Sequence, residues 1–204
     1  LDELTIEETA EEEEAEGVFD GISFVITGSV PPQFSLENYI KLCKKIKRAG
    51  CRLIIDADGE RLLEALKLEP DFVKPNIFEL ADATGDDASA DPEVVIHSAR
   101  KLLDMGARAV CVSMSQEGAL FVSRDEPEAL YVNCNPKVFD CGAVGTGDAM
   151  VGAIANSMST GLSFCELAKY TVATGRASAR LAGTEMATLK KVFEVYETLQ
   201  VYTV

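Results

Sequence analysis

Residues 22–56 read ISFVITGSVPPQFSLENYIKLCKKIKRAGCRLIID, and this stretch decides the fold. Ile22-Ser23-Phe24-Val25-Ile26-Thr27 is short, β-branched and aromatic, and it runs into Gly28-Ser29-Val30-Pro31-Pro32, so it predicts a buried strand entering a loop. From Leu36 to Ala49 the apolar residues Leu36, Tyr39, Ile40, Cys43 and Ile46 recur at helical intervals with lysines between them, and Gly50 ends the run. Arg52-Leu53-Ile54-Ile55-Asp56 is a second strand. The same alternation continues outward: a helix at about 60–68, a strand at 71–74, helices at about 77–83 and 92–105, and a strand at 109–113. Strands separated by helices of this length are the sequence form of βαβ units, and three successive crossovers predict an α/β fold with a mostly parallel sheet. The rhythm then changes. Ala119 to Ser123 and Ala129 to Asn133 flank Arg124-Asp125-Glu126-Pro127 and suggest an antiparallel hairpin added to that sheet. From Gly145 onward helices are expected at about 147–160, 164–181 and 188–198, and no internal repeat is evident.

The chain has 204 residues, 47% of them hydrophobic, enough to bury a real core. Its net charge of −15 argues against a general nucleic-acid binder, which needs Lys and Arg to neutralise phosphates. A local anion site is still compatible with that charge, because backbone N–H groups at a helix start bind phosphate. Residues 1–20 are dominated by acid, with Glu11 to Glu14 and Glu16 packed together, and read as an acidic helix or linker before a domain spanning 21–204. The chain opens on Leu1, which suggests a fragment or a processed product. The six cysteines lack the spacing of a zinc site and are expected as free buried thiols of a reducing compartment. No apolar run approaches a membrane span and no signal peptide is visible, so a cytoplasmic protein is expected. His97, alone in a predicted helix, has no evident catalytic partner.

The chemistry points to Cys141-Gly142-Ala143-Val144-Gly145-Thr146-Gly147-Asp148, where glycines cluster before an apolar helix. Glycine lets backbone N–H groups turn toward an oxyanion, and the helix adds its positive end. An aspartate in the first turn is kept ionised by the same dipole and accepts a proton from a hydroxyl. On spacing alone Asp148 reads equally well as a helix cap beside a tight turn. The stretch lacks the Gly-Lys-Ser/Thr ending of a Walker A loop.

Gly145-Thr146-Gly147-Asp148 resembles the G-A-G-D signature of the ribokinase-like sugar kinases of phosphofructokinase B type, with Thr146 where alanine is usual. Four more segments resemble that family in the right order: Gly28 to Pro32, Leu53 to Asp56, Lys74-Pro75-Asn76 with Glu79, and Val112 to Ala119. The resemblance covers about residues 20–204 and is strongest to the 1-phosphofructokinase and tagatose-6-phosphate kinase branch.

The resemblance implies a Rossmann-like, three-layer ribokinase fold whose N-terminal strands and lid are missing, leaving the ATP-side portion of the kinase domain. It implies ATP and Mg²⁺ as cofactors, and a fructose or tagatose phosphate as acceptor. Asp148 would be the base, and Gly145, Thr146 and Gly147 the loop that steadies charge on the γ-phosphate. Lys74 would reach the nucleotide phosphates as a mobile point charge. Asn76 and Glu79 match the N-x-x-E motif linked to Mg²⁺, although each also reads as an ordinary cap or surface residue. Ser113, Ser115 and Gly118 fall where the family binds nucleotide, with Ser115 in place of the usual glycine. Val172 and Gly175 match a small-residue stretch that accommodates adenine, and close helix packing explains such residues equally well. The expected partners are ATP and a phosphosugar, with neither nucleic acid nor membrane, and a homodimer formed through regions partly absent from these 204 residues. A chain holding only the nucleotide half would expose apolar sheet surface, and it has a second reading as a catalytically weak nucleotide-binding or regulatory module.

Overall fold

The computed structural model describes residues 21–28, 30, 31, 33–134, 145–181, 185 and 187–204. The acidic segment 1–20, Ser29, Pro32 and Cys141 to Val144 therefore lie outside the described residues.

Strands β1 (Ser23–Thr27), β2 (Arg52–Asp56), β3 (Phe72–Val73) and β4 (Ala109–Ser113) alternate with helices α1 (Leu36–Arg48), α2 (Gly59–Leu66), α3 (Ile77–Thr84) and α4 (Pro92–Asp104). Strands β5 (Ala119–Ser123) and β6 (Leu130–Cys134) follow, then α5 (Thr146–Thr160), α6 (Phe164–Ala179), α7 (Leu189–Tyr196) and β7 (Leu199–Thr203). The strands form one sheet in chain order, β1-β2-β3-β4-β5-β6-β7. Pairing is parallel from β1 to β4 and antiparallel from β4 to β7. Each parallel crossover steps one strand in the same direction, so the right-handed rule sends all four connecting helices to one face.

The burial pattern agrees. Leu53, Ile55, Val73, Val110, Val112, Leu120 and Val122 pack with residues of α1 to α4, including Tyr39, Leu62, Leu80 and Leu102. Their strand neighbours Ile54, Phe72, Cys111 and Phe121 point the other way, against α5 to α7 through Ile154, Val172 and Val195. Strands buried on both faces need apolar residues at every position, which is why they read as continuous hydrophobic runs. The result is the expected α/β/α sandwich.

Helix boundaries follow local chemistry. Ser35 caps α1 by accepting from the Asn38 N–H, and Asp91 caps α4 with Pro92 in the first turn. Ser163 and Glu166 form a reciprocal capping box on α6.

The sequence reading extended the last helix to about residue 198 and had no strand after it. The structure instead ends α7 at Tyr196 and adds β7, paired antiparallel with β6 from Leu130↔Thr203 to Cys134↔Leu199. Cys43, Cys51 and Cys111 are buried thiols outside any disulfide, as expected, and burial pushes the Cys111 thiol up to about 12. Cys165 differs, being free but exposed. Among the described residues β1 is an edge strand of the sheet, and Phe24 is 45% exposed. Among the described residues no helix is long and apolar enough to cross a membrane.

Candidate active site

The four parallel strands bring their carboxyl ends to one side of the sheet, the usual place for a ligand in an open α/β fold. Thr27 ends β1, Asp56 ends β2, Lys74 follows β3 and Ser113 ends β4. The first three belong to one hydrogen-bonded group. Lys74 Nζ lies 3.0 Å from Asp56 Oδ1. Thr27 Oγ1 lies 3.0 Å from Asp56 Oδ2 and 3.2 Å from Asp148 Oδ1. Lys74 differs from the mobile point charge expected of it, because its side chain is only 6% exposed and its ammonium is held by a carboxylate that is itself 17% exposed. A Cβ placed on Gly147 would sit 3.5 Å from Lys74 Nζ, so the ammonium lies against the first turn of α5.

Gly145 is the N-cap of α5 with φ 77° and ψ −5°, a left-handed conformation that glycine adopts without steric penalty. It provides no side-chain cap, and Asp148 stands at the third helical position with its Oδ1 accepting from Thr27 rather than from the α5 backbone. Among the described residues the cap reading of Asp148 thus has no hydrogen bond behind it. Thr146 is half-buried, and its hydroxyl has no hydrogen-bond partner among the described residues.

A cleft of about 370 Å³ opens between Thr27 and Gly28, Asp56, Arg61, Glu79 and Asp148. Asn76 is the N-cap of α3: its Oδ1 accepts from the Phe78 and Glu79 N–H groups at 2.8 and 3.0 Å, while Glu79 Oε2 accepts from the Asn76 N–H at 2.8 Å. This capping box agrees with the cap reading of Asn76, and it fixes Glu79, half-buried, at the rim of the cleft instead of leaving it an ordinary surface residue. No group of three or more His, Cys, Asp or Glu side chains forms a metal cage among the described residues. The hard oxygen donors that do line the cleft suit Mg²⁺, which keeps several waters and is bound by one or two carboxylates plus phosphate. Arg61, which the sequence reading missed, is the one basic residue of the cleft lining among the described residues, where its buried Nε has no hydrogen-bond partner. Nothing in the sequence marks it, since an arginine in a first helical turn reads as a solvated face.

A second group surrounds Ser113. Its N–H donates to the Pro75 carbonyl at 3.0 Å, joining the β4 end to the Lys74-Pro75-Asn76 segment. A single 3₁₀ turn, Ser115–Glu117, follows. Arg176 of α6 pins it by donating from Nη2 to the Gln116 carbonyl at 3.0 Å, and Tyr131 donates to the Glu117 carbonyl at 2.8 Å. Ser115 has φ 55°, in the left-handed region that favours glycine. Ser115→Gly is therefore expected to raise stability by about 0.5–1 kcal/mol, relief of left-handed strain outweighing the added unfolded-state entropy. Chemical denaturation of the two proteins checks this.

Val172 and Gly175 lie on α6 beneath this region, but both are buried. Val172 is 3% exposed in the core, and a Cβ on Gly175 would come within 2.7 Å of Met150 Cγ and 3.4 Å of Thr146 Cγ2. Close packing of α6 on α5 accounts for them, and the structure does not bring them into the cleft.

The sequence pattern of the pfkB family of carbohydrate kinases matches residues 3–191. The 1-phosphofructokinase of Bacillus subtilis is 32% identical over 167 residues, which cover 82% of this chain and 54% of that protein. The structure of phosphofructokinase-2 from Escherichia coli superposes with a TM-score of 0.80 at 31% identity, covering 92% of this chain and 59% of the other. Ribokinase from Arabidopsis thaliana, with ribose and ATP, shares the fold with a TM-score of 0.72 at 22% identity, over 86% of this chain and 55% of that one. The chain thus spans little more than half the length of the relatives it matches.

Proposed function

Because the chain belongs to the pfkB family of carbohydrate kinases, we propose that it transfers the γ-phosphate of ATP to a hydroxyl of a phosphorylated ketohexose, with Asp148 as the base. The observation that carries this reading is the placement of Asp148: in the first turn of α5, lining the cleft, and oriented by Thr27 instead of capping its helix. Asp148 takes the proton of the acceptor hydroxyl while the backbone of Gly145 to Gly147, at the positive end of α5, steadies the charge spread over the moving phosphoryl group. Lys74 adds a fixed positive charge beneath that turn. Mg²⁺, when bound, neutralises phosphate charge, and Glu79 with Asn76 would hold it through water. Ser113, Ser115 and Gly118 form the nucleotide side, with Val172 and Gly175 supporting it from below by letting α6 approach.

Fructose 1-phosphate, fructose 6-phosphate and tagatose 6-phosphate are the acceptors to offer the full-length protein with Mg-ATP. ADP formed in step with a sugar bisphosphate supports the reading, and ADP formation that ignores all three acceptors contradicts it.

Arg61 favours a phosphorylated acceptor over a neutral one. The cleft is otherwise lined with Asp56, Asp58, Glu79 and Asp148, so a dianionic substrate needs a cation there. Arg61→Met is expected to raise the KM for the phosphorylated acceptor about tenfold while kcat changes little, the signature of lost uniform binding. Initial-rate kinetics at saturating ATP checks this.

A further inference from the structure

We propose that Thr27 is a positioning residue for Asp148, its single hydroxyl hydrogen serving the Asp148 and Asp56 carboxylates in turn as Asp148 takes up the acceptor's proton. The inference rests on the reading of Asp148 as the base.

Thr27 Oγ1 is within hydrogen-bond distance of both carboxylates, 3.2 Å from Asp148 Oδ1 and 3.0 Å from Asp56 Oδ2. Ionised carboxylates only accept, and a hydroxyl has one hydrogen, so only one of the two is served at a time. Asp56 already has a cation, Lys74, at 3.0 Å on its other oxygen. Asp148 has no ion pair among the described residues and receives its hydrogen bond from Thr27. Before transfer the hydroxyl hydrogen therefore belongs to Asp148. It ties Oδ1 and leaves Oδ2 for the acceptor hydroxyl.

During transfer the acceptor oxygen bonds to the γ-phosphorus, the bond from that phosphorus to the β–γ bridging oxygen breaks, and the acceptor's proton moves to Asp148 Oδ2. Asp148 is then neutral and a weaker acceptor, whereas Asp56 is still anionic. Hydrogen bonds to an ionised partner are roughly twice as strong as neutral ones, so the Thr27 O–H turns to Asp56. No proton passes through Thr27. Its hydrogen only changes partner, and on product release it turns back. Threonine suits this task because branching at Cβ restricts χ1, and β1 holds its backbone in register with β2 through the Thr27↔Asp56 pair.

Thr27→Val keeps the shape and removes the hydrogen, while Thr27→Ser keeps the hydrogen and loses the methyl group. In the full-length protein, Thr27→Val is expected to lower kcat about 10- to 50-fold by loosening the base, with both KM values within about twofold, because misplacement near a reacting group acts on the chemical step. Thr27→Ser should return kcat to within about threefold of wild type. An unchanged kcat in Thr27→Val overturns the proposal. So does a Thr27→Ser variant as impaired as the valine variant, or a loss confined to KM. Crystal structures of wild type and Thr27→Val read the same inference without turnover. One Asp148 rotamer within reach of Thr27 in the wild type, and a changed or divided one in the variant, supports it; the same single rotamer in both overturns it. A wild type that turns over no acceptor contradicts the proposed function instead, and the crystal structures still decide the role of Thr27.

Discussion

Asp148→Asn is expected to lower kcat by about 10²- to 10⁴-fold, the range for losing a positioned general base. The substitution is nearly isosteric, and the asparagine carbonyl can still accept from Thr27. Its amide nitrogen, however, then faces the acceptor and cannot take a proton. The fold should tolerate the change, because α5 is begun by the backbone of Gly145 and no side-chain cap is lost. Removing a charge from the first turn costs about 0.3–1 kcal/mol through the helix dipole. ADP-coupled initial rates and thermal melts of the two proteins check both halves. Equal rates would remove Asp148 from the mechanism, and a large loss of melting temperature would assign it a structural role.

Gly118→Ala is expected to cost more than about 4 kcal/mol of stability, the range in which a named steric mechanism is required. Gly118 has φ 107° and ψ −134°, a region essentially reserved for glycine. A Cβ there would lie 2.0 Å from the Val132 carbonyl oxygen, 3.1 Å from its carbon and 3.2 Å from Asn133 Cα. None of these atoms belongs to a flexible side chain. Val132 pairs with Ala119 in the β5–β6 ladder, so the contact is relieved only by parting those strands. The loop that holds Ser113 and Ser115 moves with them, and nucleotide affinity should fall together with stability. Thermal denaturation should show a drop of about 10 °C for a domain of this size. A variant melting within a few degrees of wild type would contradict the placement of Gly118.

The alternation of residues 22–113 was legible because its two causes are local. A strand covered on both faces must be apolar throughout, as Leu53-Ile54-Ile55 is, and a helix covered on one face shows the spacing seen from Leu36 to Ile46. Strand β7 was not legible. Leu199 to Thr203 is short, only Leu199 of its residues is buried, and its strand state comes from pairing with β6, about 70 residues earlier in the chain.

The site divides in the same way. Gly145 and Asp148 stand out in sequence because a left-handed cap and a first-turn acid have local signatures. Thr27, Arg61 and Arg176 do not, since each acts on a partner distant in sequence: Asp148, the cleft and the Gln116 carbonyl. Lys74 is recognisable by its position but not by its character, because only the fold places Asp56 beside it. Val172 and Gly175 stayed ambiguous because small residues serve close packing and a flat ligand equally well.

The proposed reaction moves a phosphoryl group from ATP to a sugar phosphate at the cleft beside Asp148. Phosphorus NMR of the full-length protein with Mg-ATP and each phosphorylated ketohexose follows that group directly. The γ-phosphate resonance of ATP is expected to disappear as one new sugar phosphomonoester resonance grows in equal amount, and Asp148→Asn is expected to slow both changes by about 10²- to 10⁴-fold. Loss of the γ-phosphate resonance to inorganic phosphate alone, or a new sugar ester formed equally by the Asp148→Asn variant, would contradict it.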